Sequence, residues 1–169
     1  MKFTHAPLFL LALAGITFVS PNFASAQIVA FGHSAVRGVV AESEMWPAVL
    51  ESLLRAKGSQ THVINAGVYG ETTDSTLARV ASAIPAGTKT VILADSPIND
   101  PRHNISAAQS KANIAAIKSQ ITALGVRLIA AMPIVHSVAS QPGLRAPDGV
   151  HLNVEGNKKV ATILAGMVR

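Results

Sequence analysis

The sequence predicts an α/β fold in which a mainly parallel sheet lies between two layers of helices. Four short apolar runs alternate with amphipathic segments along the chain. Each run is apolar throughout rather than at every second residue, which is typical of strands buried on both faces of a parallel sheet. Right-handed crossovers between such strands bring their carboxyl ends to one edge, where open α/β sheets bind ligands.

The spacing of apolar and turn-forming residues predicts the individual elements. Apolar residues three and four apart mark the helices, and glycine or proline ends most elements. Pro47 suits a first helical turn, and Gly125 suits the position just after a helix. In order, we predict a strand at 28–31, a helix at 42–57, a strand at 62–66, a helix at 72–84 capped by Thr72 or Thr73, a strand at 90–94, a helix capped by Asn104 or Ser106 and ending near Leu124, a strand at 126–132, an irregular segment at 133–147 and a helix at 153–168.

The amino terminus has the pattern of a cleaved secretory signal. Lys2 precedes an apolar stretch at 6–19, and the small residues Ala24-Ser25-Ala26 follow it. The stretch is shorter than the roughly 20 residues of a membrane-spanning helix, which favours cleavage after Ala26 over an anchor. We therefore expect a signal peptide at 1–26 and one exported domain at 27–169, either periplasmic or secreted, with no stable membrane insertion.

Composition excludes several classes of function. The chain has no cysteine, so a cysteine nucleophile, a thiolate metal site and disulfides are excluded. The formal net charge is +5, but the basic residues are scattered and aromatic residues make up only 4%, which disfavours nucleic-acid binding. The six histidines form no HxH or HExxH pattern, so we expect no metal and no other cofactor.

Polar groups follow the predicted strands at positions that suit acyl transfer. Ser34, Gly67, Asn99 and the pair Asp148 and His151 fall in four loops of the same predicted edge. Taken singly, each has an ordinary explanation as a helix cap or a turn residue. Together they supply a hydroxyl nucleophile, an imidazole base with its carboxylate, and donors for an oxyanion.

Four motifs resemble those of the SGNH or GDSL-type hydrolases. Residues 32–35 resemble the Gly-Asp-Ser-Leu block, and residues 65–73 are similar to the second block of bacterial thioesterase/lysophospholipase-like and arylesterase members. Residues 98–100 resemble the Gly-x-Asn-Asp block, and residues 148–153 resemble the final Asp-x-x-His block. The resemblance runs from about residue 28 to residue 168.

This resemblance implies a three-layer, flavodoxin-like serine esterase. Ser34 is then the nucleophile, His151 the general base and acid, and Asp148 the carboxylate that orients it. The implied oxyanion donors are the backbone N–H groups of Ser34 and Gly67 and the side-chain amide of Asn99. The expected substrate is a small-molecule or polymer-borne carboxylic ester, of the small-acyl or lysophospholipid/thioester type, and the resemblance implies no cofactor.

The sequence departs from the family pattern in three places. His33 replaces the aspartate before the nucleophile, and Pro97-Ile98 replaces a glycine-rich approach to Asn99. The segment between Pro133 and Asp148 is too short for the further helix and strand of the family, so we predict about four strands and a more open site. These departures leave two other hypotheses open: a non-catalytic carbohydrate- or lipid-binding protein, and an acyltransferase with the same triad.

Overall fold

The computed structural model describes residues 28–168, so the predicted signal peptide lies outside the described residues. Four parallel strands form the sheet in the order β2-β1-β3-β4. They are β1 (Ile28–Gly32), β2 (Val63–Gly67), β3 (Thr90–Ala94) and β4 (Arg127–Ala130). The predicted parallel sheet of about four strands is confirmed.

Helices cover both faces of this sheet. They are α1 (Ser34–Arg37), α2 (Trp46–Ala56), α3 (Thr73–Ala78), α4 (Val80–Ala83), α5 (Ala107–Ala123), α6 (Met132–Ala139) and α7 (Val154–Met167), with 3-10 turns at Glu42–Glu44 and Asp100–His103. Alternate strand residues pack to opposite sides, as the period of a strand requires. One core contains residues of α2, α6 and α7, and the other contains residues of α4 and α5. The predicted three-layer α/β/α architecture is confirmed.

Two helix predictions differ from the structure. Residues 133–147 were expected to be irregular, but α6 begins at Met132 and buries Val135, Val138 and Ala139. The helix is too short for a clear periodicity, and Pro133 occupies its first turn, where proline is tolerated. The helix predicted at 72–84 is instead two helices, because Arg79 ends α3 in a non-helical conformation.

The ends of several elements also shift. A 3-10 turn occupies the start of the helix predicted at 42–57, and α2 begins only at Trp46. Strand β4 is shorter than predicted because α6 follows at once. The Thr72 and Ser106 caps are confirmed, since their hydroxyls accept the N–H groups of Ser75 and Gln109. Asn104 instead adopts a left-handed conformation at the end of a 3-10 turn.

The carboxyl ends of β1, β2 and β3 lie in register. Gly32 pairs with both Gly67 and Ala94, so the loops that follow β1, β2 and β3 leave the sheet side by side. A Cβ atom added to Gly32 would lie 2.3 Å from the Ala94 carbonyl oxygen, and the φ of Gly32 is +146°. Only glycine fits this position, where the chain turns toward Ser34.

We predict that Gly32→Ala lowers the free energy of unfolding by about 3 kcal/mol or more, because the strand ends must separate. Urea denaturation followed by circular dichroism measures this change. Gly166→Ala in α7 is the matched control, since no atom lies within 4 Å of its added Cβ. For Gly166→Ala we expect the free energy of unfolding to rise by about 0.5 kcal/mol. Equal stability of Gly32→Ala and wild type would contradict the close approach.

Candidate active site

A cavity of about 610 Å³ lies at the carboxyl edge of the sheet. The loops after β1, β2 and β3 line it together with α6 and the loop before α7. Its lining includes His33, Ser34, Tyr69, Gly70, Asn99, Met132, Val135, Asp148, His151 and Leu152. The structure therefore brings Ser34, Asn99, Asp148 and His151 to one cavity, but it does not place Gly67 there.

Ser34 is held at the start of a single helical turn. It is the first residue of α1, and the preceding His33 caps the turn by accepting the Ala35 N–H at Nδ1, at 3.3 Å. The Trp46 indole donates to the Ala35 carbonyl oxygen at 2.9 Å. A helix cap was the ordinary explanation for Ser34 itself, but His33 performs that role. Within residues 28–168 the Ser34 hydroxyl makes no hydrogen bond.

Asp148 and His151 form a hydrogen-bonded pair. His151 Nδ1 lies 2.6 Å from Asp148 Oδ2, while Asp148 Oδ1 accepts the backbone N–H groups of Val150 and His151, each at 2.9 Å. Hydrogen bonds from the His151 side chain and from these backbone groups lower the pKa of Asp148 to about 2. Because Nδ1 is bound to the carboxylate, Nε2 is the ring nitrogen left for proton transfer. The exposed Tyr69 ring contacts the imidazole, with 5.5 Å between the ring centroids.

A short hairpin carries this pair. Residues Arg145 and Leu152 form an isolated antiparallel bridge, and the Ala146 N–H donates to the His151 carbonyl at 2.8 Å. The Arg145 guanidinium donates to the carbonyl of Gly149 at 2.6 Å and to that of Ala139, the last residue of α6, at 2.8 Å. The hairpin is therefore attached to α6, and both ionisable groups sit within its turn.

The Asn99 side chain is fixed by its neighbours. Its Nδ2 donates to the Glu71 carbonyl at 2.9 Å, which leaves the second amide hydrogen for another acceptor. The next residue, Asp100, is fully buried and accepts hydrogen bonds from Thr73 and from the Ser110 hydroxyl. Burial alone would raise the pKa of Asp100, but these hydrogen bonds together lower it below its usual value. The Asn99 loop is thereby tied to α3 and α5.

Gly67 and Gly70 differ in what they offer the cavity. Gly67 still belongs to β2, its N–H donates to Asn65 Oδ1 at 3.0 Å, and an added Cβ would lie 2.5 Å from the Arg37 nitrogen. Gly70, three residues later, lines the cavity with a φ of +72°. Its N–H has no acceptor among residues 28–168. The predicted strand ended one residue early, at Ala66, which left the first glycine in the loop.

An ion pair between the buried Glu71 and the partly buried Arg79 connects the end of β1 to two of these loops. The Glu71 carboxylate binds the Arg79 guanidinium through both oxygens, with Nη2 to Oε2 at 2.6 Å. Arg79 also donates to the Gly32 carbonyl at 2.8 Å and lies over the Phe31 ring. Since the Glu71 backbone accepts from Asn99, one acidic residue joins the β1 end, the β2 loop and the β3 loop.

The described residues give two further results. Residues 28–168 contain no group of three or more histidine or acidic side chains arranged to hold a metal ion. In the same part of the chain, no helix has the length and apolar character that crossing a bilayer requires. The prediction that the site uses no cofactor stays a prediction.

No protein-family model matches the sequence, and no curated protein matches it. Solved structures do match. TesA superposes with a TM-score of 0.68 at 18% identity, covering 84% of this chain and 97% of its own. The psychrotrophic esterase EstA from Pseudoalteromonas sp. superposes with a TM-score of 0.67 at 17% identity. The match covers 83% of this chain and 95% of EstA. AlinE4, an SGNH-hydrolase family esterase, superposes with a TM-score of 0.57 at 23% identity. The match covers 83% of this chain and 93% of AlinE4.

The fold is that of the SGNH hydrolases. The architecture expected from the four motifs is confirmed over most of the length of these proteins. At such identities the likeness concerns the fold, and the activity of this chain must be argued from its own side chains.

We predict that Arg79→Met lowers the free energy of unfolding by about 3 kcal/mol, because Glu71 stays buried without its partner. Urea denaturation measures the loss. The double variant Glu71→Gln/Arg79→Met should recover part of it, since no uncompensated charge is then buried. Arg127→Met, at an exposed position of β4, is the matched control and should change stability by less than about 0.5 kcal/mol. If the double variant lost as much free energy of unfolding as Arg79→Met and Glu71→Gln lose together when measured singly, the coupling would be contradicted.

The pKa of Asp148 predicts a pH dependence of stability. Because it is lowered in the folded protein to about 2, the ionised carboxylate stabilises the fold above its ordinary pKa of 3.8. That contribution is lost as pH falls from about 4 toward about 2. We expect Asp148→Asn to flatten the curve of unfolding free energy against pH in this range, as urea titrations at successive pH values would record. Curves of the same shape for the variant and wild type would contradict the pairing.

Proposed function

We propose that this protein is an exported serine esterase that hydrolyses carboxylic esters through an acyl-enzyme on Ser34. The observation that carries the proposal is the shared cavity of the Ser34 hydroxyl and the His151–Asp148 pair, whose two side chains are 2.6 Å apart. A serine hydroxyl becomes an effective nucleophile when an imidazole accepts its proton. The structural likeness to named esterases supports this reading.

The proposed reaction has two halves. Ser34 Oγ attacks the ester carbonyl carbon while His151 Nε2 takes the hydroxyl proton, and Asp148 stabilises the resulting imidazolium. The tetrahedral intermediate collapses as His151 returns that proton to the leaving alcohol, which leaves the acyl group on Ser34. Water then attacks the acyl carbon while His151 takes its proton, and His151 gives that proton to Ser34 Oγ as the bond to the acyl group breaks and the carboxylic acid leaves.

Three donors are proposed for the oxyanion. The Ser34 N–H lies at the start of α1, where backbone N–H groups have no partner within the helix. Asn99 Nδ2 retains one hydrogen after its bond to the Glu71 carbonyl. We assign the third donor to Gly70 rather than Gly67, because Gly70 lines the cavity and the Gly67 N–H is bound to Asn65.

One side of the cavity is apolar and suits contact with an acyl group. Met132, Val135 and Ala139 of α6 contribute an apolar side, and Leu152 adds to it from the hairpin. The substrates we propose are esters of a small acyl group, such as acetyl, free or carried on a polymer surface, or of the lysophospholipid/thioester type. Export rests on the secretory pattern of residues 1–26, and we propose a periplasmic or secreted location.

The deciding experiment is whole-protein mass spectrometry after exposure of residues 27–169 to a fluorophosphonate. We expect one adduct, mapped to Ser34 and not to Ser96, which also lines the cavity. Ser34→Ala should abolish the adduct. A folded protein that forms no adduct would contradict the proposal and favour a non-catalytic binding protein.

The roles of the other residues are tested with a p-nitrophenyl acetate assay. His151→Ala should lower kcat about 10⁴-fold or more. Asn99→Ala should lower it about 10²-fold to 10³-fold, because one oxyanion donor is lost. Wild-type turnover in Ser34→Ala would overturn the mechanism. New ester products formed when alcohols are added as acceptors would identify a transferase instead.

A further inference from the structure

His33, the residue next to Ser34, is almost fully buried, with 5% of its surface exposed. Its Nδ1 accepts the Ala35 N–H at 3.3 Å and so caps the turn that carries Ser34. An imidazole nitrogen accepts a hydrogen bond only while it is unprotonated. The cap therefore requires the neutral ring, with its single proton on Nε2.

The second ring nitrogen has an unusual environment. His33 Nε2 is buried and has no hydrogen-bond partner among residues 28–168. The bond at Nδ1 is therefore the only hydrogen bond that the His33 ring makes to the described residues. A protonated ring would add a second buried donor at Nδ1, directed at the Ala35 N–H, and would break the cap.

The charged groups that face His33 come from four elements. Glu71 precedes α3, Asp95 follows β3, Asp100 lies in a 3-10 turn, and His151 lies in the hairpin. The three carboxylates favour the charged imidazole, but burial outweighs them, and together with His151 it lowers the pKa of His33 below 6.5. Asp95 pairs with Lys118 at 2.8 Å, as Glu71 pairs with Arg79. Both carboxylates thus already have cationic partners.

We propose that His33 is a positioning residue for Ser34, which holds the first turn of α1 as a neutral hydrogen-bond acceptor and releases it when protonated. This inference rests on the proposed esterase function. Reactivity at Ser34 then depends on two imidazoles with separate tasks. His151 must be unprotonated to accept the serine proton, and His33 must be unprotonated to hold the serine in place.

Two substitutions distinguish the hydrogen-bond acceptor of His33 from the space that its ring fills. His33→Asn places Oδ1 at the position of Nδ1, one bond from Cγ, and does not titrate. His33→Phe fills the same space without an acceptor. Circular dichroism melting identifies the pH range in which each variant is folded, and rates are compared only within that range.

The readout is the second-order rate constant of fluorophosphonate labelling at Ser34 as a function of pH. At pH 7, His33→Phe should react about fivefold to tenfold more slowly than wild type, and His33→Asn should recover most of that loss. On the acid side, loss of the cap adds this fivefold to tenfold drop to the fall caused by protonation of His151, so the wild-type profile should be steeper than one over part of the range in log rate against pH. His33→Asn should give a slope of one.

His62→Asn is the matched control, because His62 is exposed, pairs with Glu51 and does not line the cavity. It should keep the wild-type slope. Equal slopes in wild type and His33→Asn would overturn the proposal, as would full reactivity of His33→Phe at pH 7.

A measurement without catalysis separates this inference from the proposed function. Long-range ¹H–¹⁵N spectra of the Ser34→Ala protein should show His33 Nδ1 unprotonated and Nε2 protonated at neutral pH. A proton on Nδ1 would overturn the cap. Wild type that is never labelled would overturn the esterase function, while these spectra would still decide whether His33 caps α1.

Discussion

The arrangement of the site depends on the ion pair between the buried Glu71 and the partly buried Arg79. The guanidinium reaches the carbonyl of Gly32, at the last residue of β1, and the Glu71 backbone accepts from Asn99. Glu71 and Arg79 therefore connect three segments that are distant in sequence, through their side chains and through the Glu71 main-chain carbonyl. A paired charge of this kind contributes less to net stability than its attraction suggests, since both groups lose hydration. The ion pair instead fixes the relative positions of loops that the hydrogen bonds of the sheet do not hold.

The predictions from sequence succeeded where local chemistry decides the structure. Four apolar runs were enough to predict a parallel sheet, and the Thr72 and Ser106 caps were recognisable from residue type. Asp148 and His151 lie three residues apart, so their contact follows from a short turn. The order of the motifs was enough to anticipate the SGNH-hydrolase fold.

The failures arise where distant contacts decide the structure. The break between α3 and α4 occurs at Arg79, whose side chain binds groups on two other elements, and no local pattern reports that. Gly67 and Gly70 are both glycines near a strand end, and only the pairing of Gly67 with Gly32 shows which one belongs to the sheet. The sequence shows only that His33 stands where the motif has aspartate. The hydrogen bond that its Nδ1 accepts from Ala35 becomes visible only in the folded structure.

The hairpin between α6 and α7 places the proposed base, His151, and its carboxylate partner, Asp148, on one short segment. Because Asp148 binds both the ring and the backbone of the same turn, a displacement of the hairpin moves the two groups as a rigid unit. The contact between the two side chains therefore depends mainly on the hairpin itself, while contacts with α6 and Tyr69 set where the pair lies in the cavity. For protein engineering, residues 144–153 are thus a candidate unit for transfer into a recipient that supplies counterparts of Ala139, Gly143 and Tyr69.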